Sequence, residues 1–269
     1  METDRCIRDD EKLDELFDGR IRVIQKKTGY RFSLDAVLLA HFAARIPAAS
    51  IIDLGTGSGI VQLLLARKHA NTTIAGVELQ PGLADMARRT IALNGLTDRV
   101  SIVQDDLREI RRGFAPSSFD LVVSNPPYYP VVDGRINPDE EKAIARHEIM
   151  ATVQDIIQVS SYLVSSAGSV LIIFPAKRLM DLLTAFLTSG LKPRALRIIY
   201  SRMNEEAKLV MAEGCKTGNP ELEIAEPFII YGADGDYSEE MRRIYGGLKS
   251  KSAVSKKWPR APISSECNV

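Results

Sequence analysis

The sequence predicts an α/β fold in which a mostly parallel sheet carries helices on both faces. Three observations point there. Short apolar runs alternate with amphipathic stretches, the pattern of repeated strand–helix units. A glycine-rich turn, Asp53-Leu54-Gly55-Thr56-Gly57-Ser58-Gly59, joins the first core run to a helix. Acidic residues stand where the first three core strands are expected to end: Asp53, Glu78 and the pair Asp105-Asp106.

In chain order, residues 1–19 read as an acidic N-terminal extension (Glu2, Asp4, Asp9, Asp10, Glu11), 20–246 as one α/β domain and 247–269 as a basic tail. Arg20–Gln25 and a Lys26-Lys27-Thr28-Gly29 turn precede a helix from Leu34 to Arg45. Ser33 suits its N-cap, and Asp35 lies in its first turn, where a carboxylate meets the positive end of the helix dipole. Strands are expected at Ser50–Leu54, Thr73–Glu78, Val100–Gln104, Leu121–Ser124 and Ser169–Phe174. Helices are expected at Gly59–His69, Pro81–Asn94, Ala151–Ser165 and Ala176–Ser189. Pro81 fits a first helical turn, and Asn94-Gly95 is a helix stop. Beyond Gly190 the period changes, and Ala195–Tyr200, Ala207–Glu213 and Pro227–Tyr231 read as strands of an antiparallel edge.

A chain of 269 residues can bury a substantial core, and its 45% hydrophobic and 26% charged content is ordinary for a globular domain. Lys plus Arg equals Asp plus Glu at 35 each, so a polyanionic partner would need a local basic patch. Cys6, Cys215 and Cys267 lie far apart without Cys-x-x-Cys spacing, which argues against a disulfide framework or a zinc site. The acidic start is wrong for a signal peptide, and no apolar run is long enough to span a membrane. The expectation is a cytoplasmic protein without a metal centre or a membrane partner.

Gly55, Gly57 and Gly59 allow positive φ and close approach of a ligand to the backbone. Their Gly-x-Gly-x-Gly spacing differs from the Gly-x-Gly-x-x-Gly of dinucleotide folds. A carboxylate at Asp53 would repel a pyrophosphate but could hold a cation such as the methionine end of S-adenosylmethionine. Glu78 could accept hydrogen bonds from two ribose hydroxyls. Asp106, with Asp105 close behind, could accept from an adenine amino group. This constellation resembles the class I S-adenosylmethionine-dependent methyltransferases. The resemblance implies a Rossmann-like, seven-stranded sheet of order 3-2-1-4-5-7-6 with the last strand antiparallel.

Asn125-Pro126-Pro127-Tyr128 follows the strand Leu121–Ser124, at the sheet edge where open α/β folds bind ligands. An exocyclic amino nitrogen on an aromatic base is a poor nucleophile because its lone pair spreads into the ring. Asn125 Oδ1 and the Pro126 carbonyl could accept both of its N–H bonds and localise that pair. Pro127 fixes its own φ and restrains Pro126. Tyr128 offers a stacking face, worth roughly 1–3 kcal/mol per base in nucleic-acid sites. In the methyltransferases this chain resembles, Asn-Pro-Pro-Tyr serves adenine in DNA or RNA, guanine N2 and the side-chain amide of a protein glutamine, so the resemblance implied by this motif alone does not choose among them.

Two flanking segments narrow the choice. Arg22–Phe42 (RVIQKKTGYRFSLDAVLLAHF) and Phe119–Glu148 (FDLVVSNPPYYPVVDGRINPDEEKAIARHE) resemble the bacterial family of valine-tRNA adenine-37 N6-methyltransferases. The resemblance covers residues 13–230, roughly, and fades in the tail. It implies transfer to adenine N6 beside the anticodon, with Tyr30, Phe32, Ser33 and Asp35 near the cofactor's methionine end and Asn125–Tyr128 as the base pocket. Arg135, Lys142, Arg146, His147 and the tail from Arg242 to Arg260 are candidate contacts to a tRNA anticodon loop. Rivals are a ribosomal-RNA guanine N2 enzyme, a protein glutamine N5 enzyme and a non-catalytic binding module. The first often has a duplicated domain, and the second usually has an N-terminal helical domain; the residues before Arg20 are too few for that.

Overall fold

The computed structural model describes residues 6–17, 19–28, 31–126, 151–218 and 221–246. The elements that carry the glycine turn form where their residue pattern places them. Strands β3 (Ser50–Leu54), β4 (Thr73–Glu78) and β5 (Val100–Gln104) have the expected bounds, and β6 spans Phe119–Ser124. Between them lie α1 (Leu34–Ala43), α2 (Ile60–Lys68) and α3 (Pro81–Leu93), the last two following β3 and β4. A 3-10 turn at Leu107–Arg112 follows β5. Then come α4 (Val153–Leu163), β7 (Val164–Pro175), a second 3-10 turn (Ala176–Arg178) and α5 (Leu179–Thr188). The chain continues through β8 (Lys192–Tyr200), β9 (Ala207–Cys215), the short β10 (Glu223–Ile224) and β11 (Phe228–Ile229), and α6 (Glu239–Gly246).

Across the sheet the order is β5-β4-β3-β6-β7-β9-β8, with β10 and β11 both alongside β8. Counted from β3, this is the expected 3-2-1-4-5-7-6. Two short extra strands raise the expected seven to nine. The antiparallel edge needs correcting, because only β9 opposes its neighbours. Strand β8 runs the same way as β7, and Phe228–Ile229 pairs parallel to it. A parallel partner needs a crossover, and the chain between β8 and β11 supplies one through β9.

Alternation along the strands divides the core. Ile51, Leu121, Val123, Leu171, Ile173, Leu209 and Met211 face α1, α2, α3 and α6. Ile52, Leu54, Val122, Val170, Ile172, Phe174 and Val210 face α4 and α5. Asp53 shares the parity of Ile51, so its carboxyl enters the layer beneath α2.

An unexpected hairpin precedes the domain. Strand β1 (Glu11–Leu16) pairs antiparallel with β2 (Ile21–Lys26), across the boundary expected at residue 20. Arg89 of α3 anchors it with two bonds to Glu11, at 2.6 and 2.7 Å. That pair holds the Glu11 carboxyl below its ordinary pKa. Leu16 and Phe17 enter the core, so this acidic stretch is packed against the domain.

Candidate functional site

Four parallel strands end in step at one edge of the sheet. Leu54 stands opposite both Ser124 of β6 and Val77 of β4, and Glu78 opposite Gln104 of β5. The next positions along that rim are Asn125, Gly55, Glu78 and Gln104, and Asp105 follows one residue beyond. The Ser124 hydroxyl donates to the Leu54 carbonyl at 2.6 Å, which locks the start of the Asn125-Pro126 run beside the glycine turn. Asn125 is half-buried and Pro126 buried. Pro127 and Tyr128, like Tyr30, lie outside the described residues, as do Arg135, Lys142, Arg146, His147 and residues 247–269.

The turn folds over the end of β4, where the Val77 carbonyl accepts from the amides of Gly55 (2.9 Å) and Thr56 (3.1 Å). Gly55, Gly57 and Gly59 have φ of 82, 57 and 84°, the left-handed region that favours glycine. A Cβ on Gly59 would lie 3.2 Å from that of Ala87, so this glycine also lets α2 approach α3. A Cβ on Gly55 would meet nothing within 4 Å. The surface beside Gly55 is therefore open to a ligand.

Beneath the turn lies a buried polar cluster. Gln62 Nε2 donates to Asp53 Oδ2 at 2.8 Å and to Thr56 Oγ1 at 2.7 Å. Asp53 is 1% exposed, and burial, then the nearby Glu78 charge, push its pKa up to about 8 against the opposing Gln62 bond. Glu78 accepts from Gly57 N at 2.8 Å and Gln80 N at 2.9 Å. Burial raises its pKa despite those amides. Around this one turn Asp53 Oδ1, Ser58 Oγ and Gln62 Oε1 are buried without a hydrogen-bond partner among the described residues. Buried polar atoms are nearly always paired, so three orphans together mark a place where a ligand or water completes the bonding. A cationic, hydroxyl-bearing ligand fits that donor and acceptor set.

Gln62 and Gly76 were missed by sequence reasoning. Gln62 was visible as a lone amide in the apolar run Ile60-Val61-Gln62-Leu63-Leu64-Leu65. Gly76 sits mid-strand, where glycine often marks close approach by another group. A Cβ there would fall 2.4 Å from Thr56 Oγ1 and 2.5 Å from Gln62 Nε2. Glycine at 76 makes room for the cluster.

The remaining expected residues divide. Asp106 caps the 3-10 turn through Arg108 N (2.9 Å) and pairs with the Arg108 guanidinium, which lowers its pKa. Asp105 accepts the Asp106 amide at 2.8 Å and makes no ion pair among the described residues. Phe32 packs against the core and donates its amide to Gln25 Oε1 at 3.1 Å. Ser33 holds the N-cap position of α1 in extended backbone, without a side-chain cap bond. Asp35 is buried in the first turn of α1, which packs against α2. No cluster of three metal-ligating side chains occurs among the described residues. None of their helices is long and apolar enough to cross a membrane. Two open clefts, of about 270 and 550 Å³, lie where β4–β6 and β7–β8 begin, away from the glycine turn.

Residues 34–180 match the family described as "Methyltransferase small domain". A protein from Porphyromonas gingivalis named tRNA1(Val) (adenine(37)-N6)-methyltransferase is 30% identical over 233 residues, covering 84% of this chain and 91% of its own. A namesake from Aeromonas hydrophila is 28% identical, covering 82 and 90%. Among solved structures, one described as a predicted O-methyltransferase, Atu636 from Agrobacterium tumefaciens, superposes with a TM-score of 0.66 at 21% identity, covering 80% of this chain and 97% of its own. A transferase of Pyrococcus horikoshii, PH0793, reaches 0.55 at 14% identity, covering 77 and 72%.

Proposed function

The chain belongs to the methyltransferase small domain family and, within it, to the group named tRNA1(Val) (adenine(37)-N6)-methyltransferase, and on that premise we propose that it methylates adenine N6 in tRNA, at position 37 of a valine tRNA. It is a class I methyltransferase, and its donor is S-adenosylmethionine. The observation that carries the substrate reading is the strand register that sets Asn125 beside Gly55. A planar amino group held at Asn125 meets whatever the glycine turn holds.

When bound, the donor supplies a methyl carbon already activated by a positively charged sulfur. Asp53 and Glu78 are buried carboxyls at that end of the ligand, protonated more readily than usual without it, and a bound cation favours their ionised forms. Glu78, oriented by the amides of Gly57, Leu79 and Gln80, keeps lone pairs for ribose hydroxyls. Asp105 is the better adenine acceptor of the two candidates, because Arg108 and the cap already occupy Asp106. Phe32, Ser33 and Asp35 line the methionine end, together with Tyr30. Asn125 Oδ1 and the Pro126 carbonyl hold the two N–H bonds of the acceptor, leaving its lone pair directed away from them, and Pro127 and Tyr128 complete the pocket. Catalysis is then positioning and fixed dipoles rather than strong base chemistry. A base in the anticodon loop is unpaired, so turning it out is inexpensive. The protein acts in the cytoplasm, as tRNA maturation requires.

Unmodified tRNA incubated with the enzyme and labelled donor, then digested for nucleoside mass spectrometry, tests this. N6-methyladenosine at position 37 is the expected product. Methyl-guanosine, or no product with tRNA and transfer to a glutamine peptide, overturns the reading.

A further inference from the structure

The cofactor residues fill the rim over β3, β4 and β5, which leaves the rim over β7, β9 and β8 for a large acceptor. Four cations stand there. Lys177 and Arg178 follow β7, Arg202 follows β8, and Lys208 is the second residue of β9. The register keeps them level, since Pro175 stands opposite Leu209, and Tyr200 opposite Ala207. Adjacent strands lie about 4.8 Å apart, so the cations spread roughly 5–15 Å from the strand that ends in Asn125. That span matches a few successive phosphates.

Their present partners are weak competitors. Lys177 pairs with Glu206 at 3.2 Å, Arg202 with Glu205 at 2.9 Å, and Arg178 with Asp181 at 2.9 Å while its guanidinium also lies 5.0 Å from the Phe174 ring centre. Each of those carboxylates is well exposed, and exposed pairs contribute little, so a phosphate can replace the carboxylate. Lys208 forms no ion pair among the described residues.

Arg202 also rests on an aromatic ring. Its guanidinium lies 5.3 Å from the Tyr231 ring centre. Tyr231 stacks on Tyr237 at 5.4 Å, Tyr237 on Tyr245 at 5.5 Å, and Tyr245 on the buried Phe17 at 5.7 Å. This ladder roots Arg202 in the core while its side chain stays 56% exposed. Unpaired bases in RNA loops stack on guanidinium planes of this kind.

We propose that Lys177, Arg178, Arg202 and Lys208 form the surface that holds the RNA loop of the substrate, with phosphates on Lys177, Arg178 and Lys208 and one unpaired base on Arg202. This rests on the reading that the acceptor is an RNA base presented at Asn125.

The test combines Lys177→Ala, Arg178→Ala, Arg202→Ala and Lys208→Ala in the full chain. A control carries Arg67→Ala and Lys68→Ala, exposed cations at the end of α2 on the opposite edge. Calorimetry with S-adenosylhomocysteine checks that the cofactor site is intact. For the rim variant, KM for unmodified tRNA should rise at least ~10-fold with kcat little changed, and the slope of log affinity against log salt should fall by roughly 2–3. The control should stay within about twofold of wild type by the same contact-counting logic. Unchanged tRNA kinetics in the rim variant, or equal weakening in the control, overturns the docking surface alone. A wild-type enzyme that methylates a glutamine peptide and no tRNA overturns this proposal together with the reading beneath it. Arg202→Lys keeps the charge and loses the plane, so its KM should rise without a change in salt slope; parity with wild type removes the stacking role.

Discussion

The two halves of the active rim are built on opposite principles. Over β3–β5 the polar groups are buried, backbone-oriented and partly unsatisfied: Asp53, Gln62 and Glu78 sit below 10% exposure around three left-handed glycines. Over β7–β8 they are exposed, on flexible side chains, and provisionally paired with neighbouring carboxylates. The first arrangement suits a small ligand of fixed shape, because preorganised groups in a dry site need no rearrangement on binding. The second suits a polyanion, where release of counterions and exchange of weak pairs supply affinity without strict geometry.

Asn125 stands at the seam, and the largest effect should come from it. Asn125→Ala should lower kcat on tRNA about 10²–10³-fold, the range for loss of one preorganised polar contact, while S-adenosylhomocysteine affinity changes by less than about threefold. Calorimetry and single-turnover methylation separate the two. Comparable loss of both would merge the halves that the comparison keeps apart.

Asp53→Ala and Glu78→Ala should act in reverse. Each should weaken donor binding about 10–100-fold, as for a charge-assisted hydrogen bond, and leave tRNA affinity in a filter assay nearly intact. Gly76→Ala probes the same cluster from below. Its new Cβ collides with Thr56 and Gln62, which should destabilise the protein by about 1–3 kcal/mol in denaturant melts and weaken donor binding with it.

The buried half also carries a pH signature. The raised pKa of Asp53, about 8, means that the folded protein keeps a proton the unfolded chain releases near 4. Stability without ligand is therefore greatest below that lower value and is lost as pH rises toward 8. Glu78, shifted the same way, adds to the trend. Asp53→Asn should flatten the profile, removing on the order of 4 kcal/mol of its fall between pH 5 and 8.5. An unchanged slope would mean that the carboxyl is solvated. The smallest effect separates the two adjacent acids: Asp105→Ala should weaken donor binding about tenfold, one good hydrogen bond, against less than threefold for Asp106→Ala.

How much was legible follows from the range of each interaction. Strands β3, β4 and β5 have the expected bounds because their apolar runs end at turn-forming or charged residues within the same segment. Pro81 and Asn94-Gly95 mark the ends of α3 for the same reason. The β1–β2 hairpin was missed because Glu11–Leu16 alone is short and polar, and its anchor, Arg89, lies 78 residues away. The parallel pairing of β11 was missed because two residues carry no period. Asp106 drew attention as the residue next to a helical turn, and that same position commits it to capping.

From the chain alone came the glycine turn, the acids that close three strands and the Asn-Pro-Pro-Tyr run, since strand ends, positive φ and proline restraint are local properties. Tertiary structure decided which of these meet: the Leu54–Ser124 register, the Gln62 cluster lodged over Gly76, and the cations lined up along β7, β9 and β8. Register and desolvation depend on residues distant in sequence, so no window of the chain contains them.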